Sequence, residues 1–146
     1  METVLFIGLQ ASGKSSFYKE RFFDTHARIS LDLLKTRHRE KLFFTACLET
    51  GQRLVVDNTN PTRADRAAYI APAKAAGFQV IGYYFRSRLE DSMRRNTARD
   101  YSVPDAALLS TAKKLELPAR DEGFDALYYV CIENGALQVE CWKDEV

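Results

Sequence analysis

The sequence has 146 residues, 46% of them hydrophobic and 28% charged, and a net charge of +1. A chain of that size holds one ordinary α/β domain and is too short for two, and its composition excludes disorder. The near-zero charge selects no partner by itself, and no apolar run approaches the roughly 20 residues that cross a bilayer.

The N-terminus goes straight into a strand and a glycine turn, which leaves no room for a signal peptide. A cytoplasmic protein without a membrane or an evident protein partner is expected. Cys47, Cys131 and Cys141 form no CxxC pair and are odd in number, so they read as buried, reduced thiols.

Thr3 to Ile7 is a continuous apolar, β-rich run, as in a parallel strand buried on both faces. A glycine-bearing turn follows, and Lys14 to Phe23 reads as the helix that it opens. Arg28 to Ser30 is a second short strand. From Asp32 to Thr50-Gly51 one helix is expected, with Leu33, Leu34, Leu42, Phe43, Ala46 and Cys47 as its apolar face. Arg53 to Val56 is a strand ending in Asp57. Thr59 or Asn60 can cap a helix with Pro61 in its first turn, running to about Ala76 and stopping at Gly77. Phe78 to Phe85 is a fourth strand, in which the aromatic run Tyr83 to Phe85 reads as core. Leu89 to about Arg99 and Asp105 to about Leu117 are helical, separated by the breaker Ser102-Val103-Pro104. Ala126 to Ile132 and Ala136 to Cys141 flank Asn134-Gly135, a tight-hairpin dipeptide. Strands alternating with helices predict an α/β fold of the P-loop kinase type. Its sheet is mainly parallel with helices on both faces, and it closes on a C-terminal hairpin in a single domain over 1–146.

The turn Gly8-Leu9-Gln10-Ala11-Ser12-Gly13-Lys14-Ser15 has the spacing G-x-x-x-x-G-K-[ST] directly between a buried strand and a helix. Gly8 and Gly13 let the backbone curl, so that N–H groups through Ala11, Ser12 and Ser16 point at phosphate oxygens. The helix adds the positive end of its dipole. Lys14 then meets the β- and γ-phosphates of ATP, and the Ser15 hydroxyl meets Mg2+. Asp57, at the carboxyl end of its strand, is the second candidate metal ligand, against the alternative of a helix cap.

No base-reading NKxD element of a GTPase is present. The basic stretch Arg86 to Arg99 matches a lid that closes over a transferring phosphate. Arg95 and Arg99 are spaced i, i+4 and would share a helix face, where guanidinium forks suit the spread charge of a loose transition state. A solvated basic helix is the alternative. Asp32, just past the second strand, is the candidate group to accept the proton of an attacking hydroxyl. The cluster Lys35, Arg37, His38, Arg39 and Lys41 follows it, a short basic track. His38 itself reads as a surface residue.

Three stretches together resemble the 5′-hydroxyl polynucleotide kinases, including the kinase part of polynucleotide kinase/phosphatases, and more broadly the AAA-type, zeta-toxin-like small kinases. They are the GLQASGKS loop followed by Phe17, the RISLDLL segment, and Val55 to Ile70, in which Asp-Asn-Thr-Asn-Pro precedes Arg66 and Tyr69. The RRNTAR segment and the Pro104 helix are also similar. The resemblance implies Asp32 as general base, with Lys14 and Ser15 on nucleotide and metal. It implies Arg99 and Arg95 as the transition-state clamp. At Lys35 the family often has an arginine that holds the acceptor's phosphate, and lysine keeps the charge but loses the fork; Arg39 lies one helical turn on. The resemblance implies ATP and Mg2+ as cofactors and a nucleic-acid 5′-hydroxyl end as partner. A nucleoside, sugar or antibiotic kinase, or an ATP-binding module or ATPase without a hydroxyl acceptor, are the competing readings.

Overall fold

The computed structural model describes residues 1–99 and 102–143. In chain order they form β1 (Glu2–Ile7), α1 (Lys14–Arg21), β2 (Ala27–Ile29), α2 (Leu31–Leu34), α3 (Arg37–Thr50), β3 (Leu54–Val56), α4 (Arg63–Ala75), β4 (Gln79–Phe85), α5 (Leu89–Thr97), α6 (Asp105–Lys114), a 3-10 turn (Arg120–Glu122), β5 (Ala126–Glu133) and β6 (Ala136–Cys141). The described residues make one six-stranded sheet in the order β2-β3-β1-β4-β5-β6. The first five strands are parallel, and β6 pairs antiparallel with β5 at the edge. Asn134 (φ 52°) and Gly135 (φ 75°) both take the left-handed conformation that a two-residue hairpin demands. The expected architecture is therefore the one observed. Among the described residues no helix is long and apolar enough to cross a membrane.

Alternation along β1 divides the core. Val4 and Phe6 face Phe17, Tyr18 and Phe22 of the α1 side, whereas Leu5 faces the cluster built by Phe44, Cys47, Tyr69, Ile70 and Ala73 from α3 and α4. Tyr84 and Phe85 are core residues as expected, and Tyr84 packs edge-on against Trp142. Cys47 and Cys131 are buried, but Cys141 at the end of the edge strand is exposed, contrary to expectation.

The helices after β2 and β3 begin or break where the sequence reading did not place them, and α1, α5 and α6 end two or three residues early. The single helix expected from Asp32 is two helices, because Lys35 adopts φ 74° and Thr36 starts a new one, its Oγ1 accepting from the Arg39 N–H at 3.2 Å. The break resets the helical phase. Glu40, Phe44 and Cys47 face inward, while Leu33, Leu42 and Phe43 are exposed, so the predicted apolar face is wrong for most of its members. In α4 the cap is Thr62 rather than Thr59 or Asn60, leaving Pro61 outside the helix. Thr62 and Asp65 bond reciprocally through side chain and backbone. Asn60 is instead turned inward, its buried amide donating to the Phe6 carbonyl at 2.8 Å.

Arg66 in α4 has no exposure at all. Its Nε and one terminal nitrogen donate to both Glu122 carboxylate oxygens at 2.7 and 3.1 Å. Its other terminal nitrogen donates to the carbonyls of Asn60, Pro61 and Glu116 at 3.0, 3.2 and 3.1 Å. The fork thus ties α4 to the segment before β5 and to the turn after β3. Removing one partner of such a buried pair strands the other charge, and Glu122→Gln or Arg66→Ala should cost about 3–5 kcal/mol. Urea unfolding monitored by circular dichroism checks this, and a loss within 1 kcal/mol, the usual range for an exposed pair, would contradict it.

Candidate functional site

Because β1 to β4 run parallel, their carboxyl ends meet along one edge of the sheet, where open α/β sheets gather ligands. A cavity of about 440 Å³ opens there. One wall is the glycine turn after β1, with Ala11, Gly13, Lys14, Ser15 and Ser16 on its surface. Gly13 sits at φ 101° as the N-cap of α1, and a Cβ there would meet Ile132 and Leu137 at 3.2 Å. Gly8 lies outside the lining, and a Cβ there would crowd Phe85 Cβ at 3.0 Å. Ser12 is buried behind the loop.

Lys14 is 9% exposed. Its ammonium spans the loop, donating to the carbonyls of Leu9 at 2.6 Å and Gly8 at 3.1 Å. Burial pushes its pKa down to about 8, and Arg99 pushes the same way, against the carboxylates of Asp57 and Asp32. It stays largely protonated at neutral pH, and an arriving polyanion would strengthen that state.

Asp57 follows β3 and is 5% exposed. The Ser15 hydroxyl donates to its Oδ2 at 3.1 Å. Arg28 from β2 reaches the same place: its Nε donates to Asp57 Oδ2 at 2.9 Å and a terminal nitrogen to Ser15 Oγ at 3.1 Å. The serine–aspartate pair therefore converges on one cationic position, and an oxygen pair of that kind suits a hard divalent ion that keeps water and phosphate as its other ligands. Among the described residues no group of three or more His, Cys, Asp and Glu converges, so no all-protein metal cage competes with it.

Asp32 of α2 lines the cavity, as do Arg95 and Arg99. The sequence placed both arginines on one helix, but α5 ends at Thr97. Arg99 reaches the cavity from beyond it, and Arg95 donates to the Ala11 carbonyl at 3.4 Å. The Asn96 side chain binds both the N–H and the carbonyl of Val103, at 2.9 and 2.7 Å, and so holds the segment that returns toward α6. Lys35 and Arg39 are exposed and do not line the cavity. Sequence reading missed Arg28 and Asn58. Arg28 carried a signal, a charge set between inward-facing strand residues, and Asn58 lay next to the chosen aspartate.

Residues 32–118, more than half of the chain, match the model of the AAA domain family, and the chain belongs to that family. The match begins past the glycine turn, so that turn rests on its own motif and geometry. A bifunctional polynucleotide phosphatase/kinase from Schizosaccharomyces pombe is 26% identical over 84% of this chain and 32% of its own length. A putative protein of the same name from Acanthamoeba polyphaga mimivirus is 27% identical over 97% of this chain and 36% of its own. The chain thus spans about a third of the length of the curated relatives it matches, and the resemblance read from its motifs is to the family that these two names carry. A sugar kinase from Janibacter sp. shares the fold, with a TM-score of 0.67 at 16% identity over 88% of this chain and 85% of that one.

The depressed Lys14 pKa makes stability pH-dependent. A protonated Lys14 disfavours the folded state below about pH 8, and the penalty is relieved as pH rises from about 8 to the ordinary 10.5, where the unfolded chain holds the extra proton. Relative to Lys14→Met, the unliganded protein should therefore gain on the order of a few kcal/mol across that window. Equal pH profiles for the two proteins in urea unfolding would contradict this.

Proposed function

We propose that the protein is an ATP-dependent phosphotransferase that moves the γ-phosphate to the 5′-hydroxyl of a polynucleotide. The observation that carries this is the convergence of a phosphate-binding turn, a free-standing carboxylate and two arginines on one cavity. The backbone N–H groups of the turn hold the β- and γ-phosphates, and Lys14 exchanges its carbonyl contacts for phosphate oxygens. Ser15 and Asp57 are the residues that would hold Mg2+, which when bound neutralises charge on those phosphates. Asp32 accepts the proton of the acceptor hydroxyl as its oxygen attacks the γ-phosphorus and ADP departs. Arg95 and Arg99 stabilise the charge that spreads over the transferring group. Lys35, just past α2, and Arg39 of α3, both exposed, hold the acceptor's phosphate.

The same position outside the cavity wall favours a second reading, in which the acceptor is a small molecule and these two cations are surface charges. Transfer of labelled γ-phosphate to a 5′-hydroxyl oligonucleotide, a nucleoside 3′-monophosphate and a bare nucleoside separates the two. The oligonucleotide should be preferred, with transfer weakening as salt rises. Lys35→Ala should raise KM for the two phosphate-bearing acceptors and spare the bare nucleoside. A preference for the bare nucleoside with no salt effect would instead establish the small-molecule reading. Arg99→Ala should lower kcat by about a hundredfold or more while Mg-ATP still binds.

Arg28 bears on the metal. Its guanidinium bridges the two oxygens that would hold Mg2+, so the ion has to displace it. Arg28→Ala should reach half-maximal thermal stabilisation by ATP at a lower Mg2+ concentration. A higher requirement would mean that Arg28 supports the metal site.

A further inference from the structure

Asp32 sits in a helix of four residues, anchored to the core by the half-buried Leu34 alone. None of the four is fully buried, and Leu33 on the other face is 59% exposed, so one apolar contact leaves the helix free to rotate unless its backbone is also tied. An isolated turn of helix is unstable in water, so its position is set from outside. The Ser30 hydroxyl accepts from the Leu33 N–H at 3.4 Å, a long bond. The shorter tie is at the preceding amide, where the Leu31 N–H donates to Asn58 Oδ1 at 2.8 Å. Asn58 adjoins Asp57, so one side chain sets the backbone before Asp32 against the strand end that carries Asp57.

An amide side chain can bind Leu31 N–H only in one of its two orientations. Behind Asn58 lies Glu40 of α3, which is 4% exposed. Asn58 Nδ2 donates to Glu40 Oε2 at 2.7 Å. The Tyr69 hydroxyl donates to Oε1 at 2.5 Å, and Arg37 to the same oxygen at 3.0 Å. Burial, and then the Glu40 carboxylate itself, push the Tyr69 hydroxyl well above its ordinary pKa, so it remains a donor. An ionised carboxylate only accepts. Facing one, Asn58 must turn its NH2 inward and its carbonyl oxygen toward Leu31. A buried carboxylate is costly, and one placed where a glutamine would fill the same space needs a reason beyond packing.

We propose that Glu40 is a positioning residue whose buried carboxylate fixes the orientation of Asn58, which through the Leu31 N–H holds Asp32 at the cavity. The proposal rests on the reading of Asp32 as the acceptor's base. Glutamine at position 40 presents a donor as well as acceptors, so it lets Asn58 turn over and release Leu31.

The test combines Glu40→Gln, Asp32→Asn and the double variant. Labelled phosphate transfer to a 5′-hydroxyl oligonucleotide, Mg-ATP affinity, and exchange of the Leu31 amide by NMR are read for each. Glu40→Gln should lower kcat about 10- to 100-fold, as expected for a misplaced reacting group. It should leave Mg-ATP affinity unchanged and speed Leu31 exchange at least about tenfold, the readout of local opening. In the Asp32→Asn background it should lower the residual turnover no further. Full turnover of Glu40→Gln, an equal further loss in the double variant, or unaltered Leu31 exchange would each overturn the proposal. If Asp32→Asn keeps full turnover, or the parent transfers nothing to the oligonucleotide, the failure is that of the proposed function, and Leu31 exchange still decides the link. Should Glu40→Gln not fold, Asn58→Ala cuts the same link while leaving Glu40 its bonds to Tyr69 and Arg37. It should show the same kcat loss with Mg-ATP bound, and unchanged kcat there would overturn the proposal.

Discussion

Four consecutive residues after β3 tie the separate parts of the cavity together, and each makes a different hydrogen bond. Asp57 accepts from Ser15 at 3.1 Å, Asn58 from the Leu31 N–H at 2.8 Å, and the Thr59 carbonyl from the Gly8 N–H at 3.0 Å. Asn60 donates to the Phe6 carbonyl at 2.8 Å. The carboxyl edge of a parallel sheet leaves backbone groups that the ladder no longer pairs, and a buried group of that kind must find a partner. The turn supplies those partners, and in doing so it sets the phosphate loop, α2 and the metal-type oxygen pair relative to one another. Arg66 then braces the turn from below by donating to the Asn60 and Pro61 carbonyls. Hydrogen bonds fix direction and register, which dispersion contacts do not.

The electrostatics of the cavity follow from the same arrangement. Lys14, Arg95 and Arg99 face it, and Arg28 closes on Asp57 at its floor, against the carboxylates of Asp32 and Asp57. That local cationic surplus, in a chain whose overall charge is +1, would favour a polyphosphate, as the proposed reaction requires. The surplus also has a cost, visible in the depressed Lys14 pKa, to which Arg99 contributes.

The phosphate side of the cavity is built by the glycine turn and α1, and the opposite side by α2 with α3 behind it. There the backbone breaks at Lys35, Leu33, Leu42 and Phe43 stand exposed beside basic residues, and a buried glutamate occupies a helix face that packs on the core. Acceptor selection, in the proposed reaction, is a property of that side.

Strands, the glycine turn, the closing hairpin and the family resemblance were legible in the sequence, because each depends on neighbours. Two-residue alternation marks a strand, glycine permits a positive φ, and Asn-Gly closes a hairpin whatever lies elsewhere. Asp32, Asp57, Arg95 and Arg99 could be chosen because strand ends and a basic lid are also local signals, and all four line the cavity. The phase of α3 was not legible, since one left-handed residue at Lys35 rotates every later side chain. Nor were the ion pair of Arg66 with Glu122, the closure of Arg28 on Asp57, or the chain from Glu40 through Asn58 to Leu31. Each joins residues that the chain keeps well apart, and a polar side chain carries no mark of which distant group will desolvate it. The sequence by itself determined which elements form and which chemistry they can hold. Tertiary structure decided which polar groups meet, because only packing removes the water that would otherwise satisfy them.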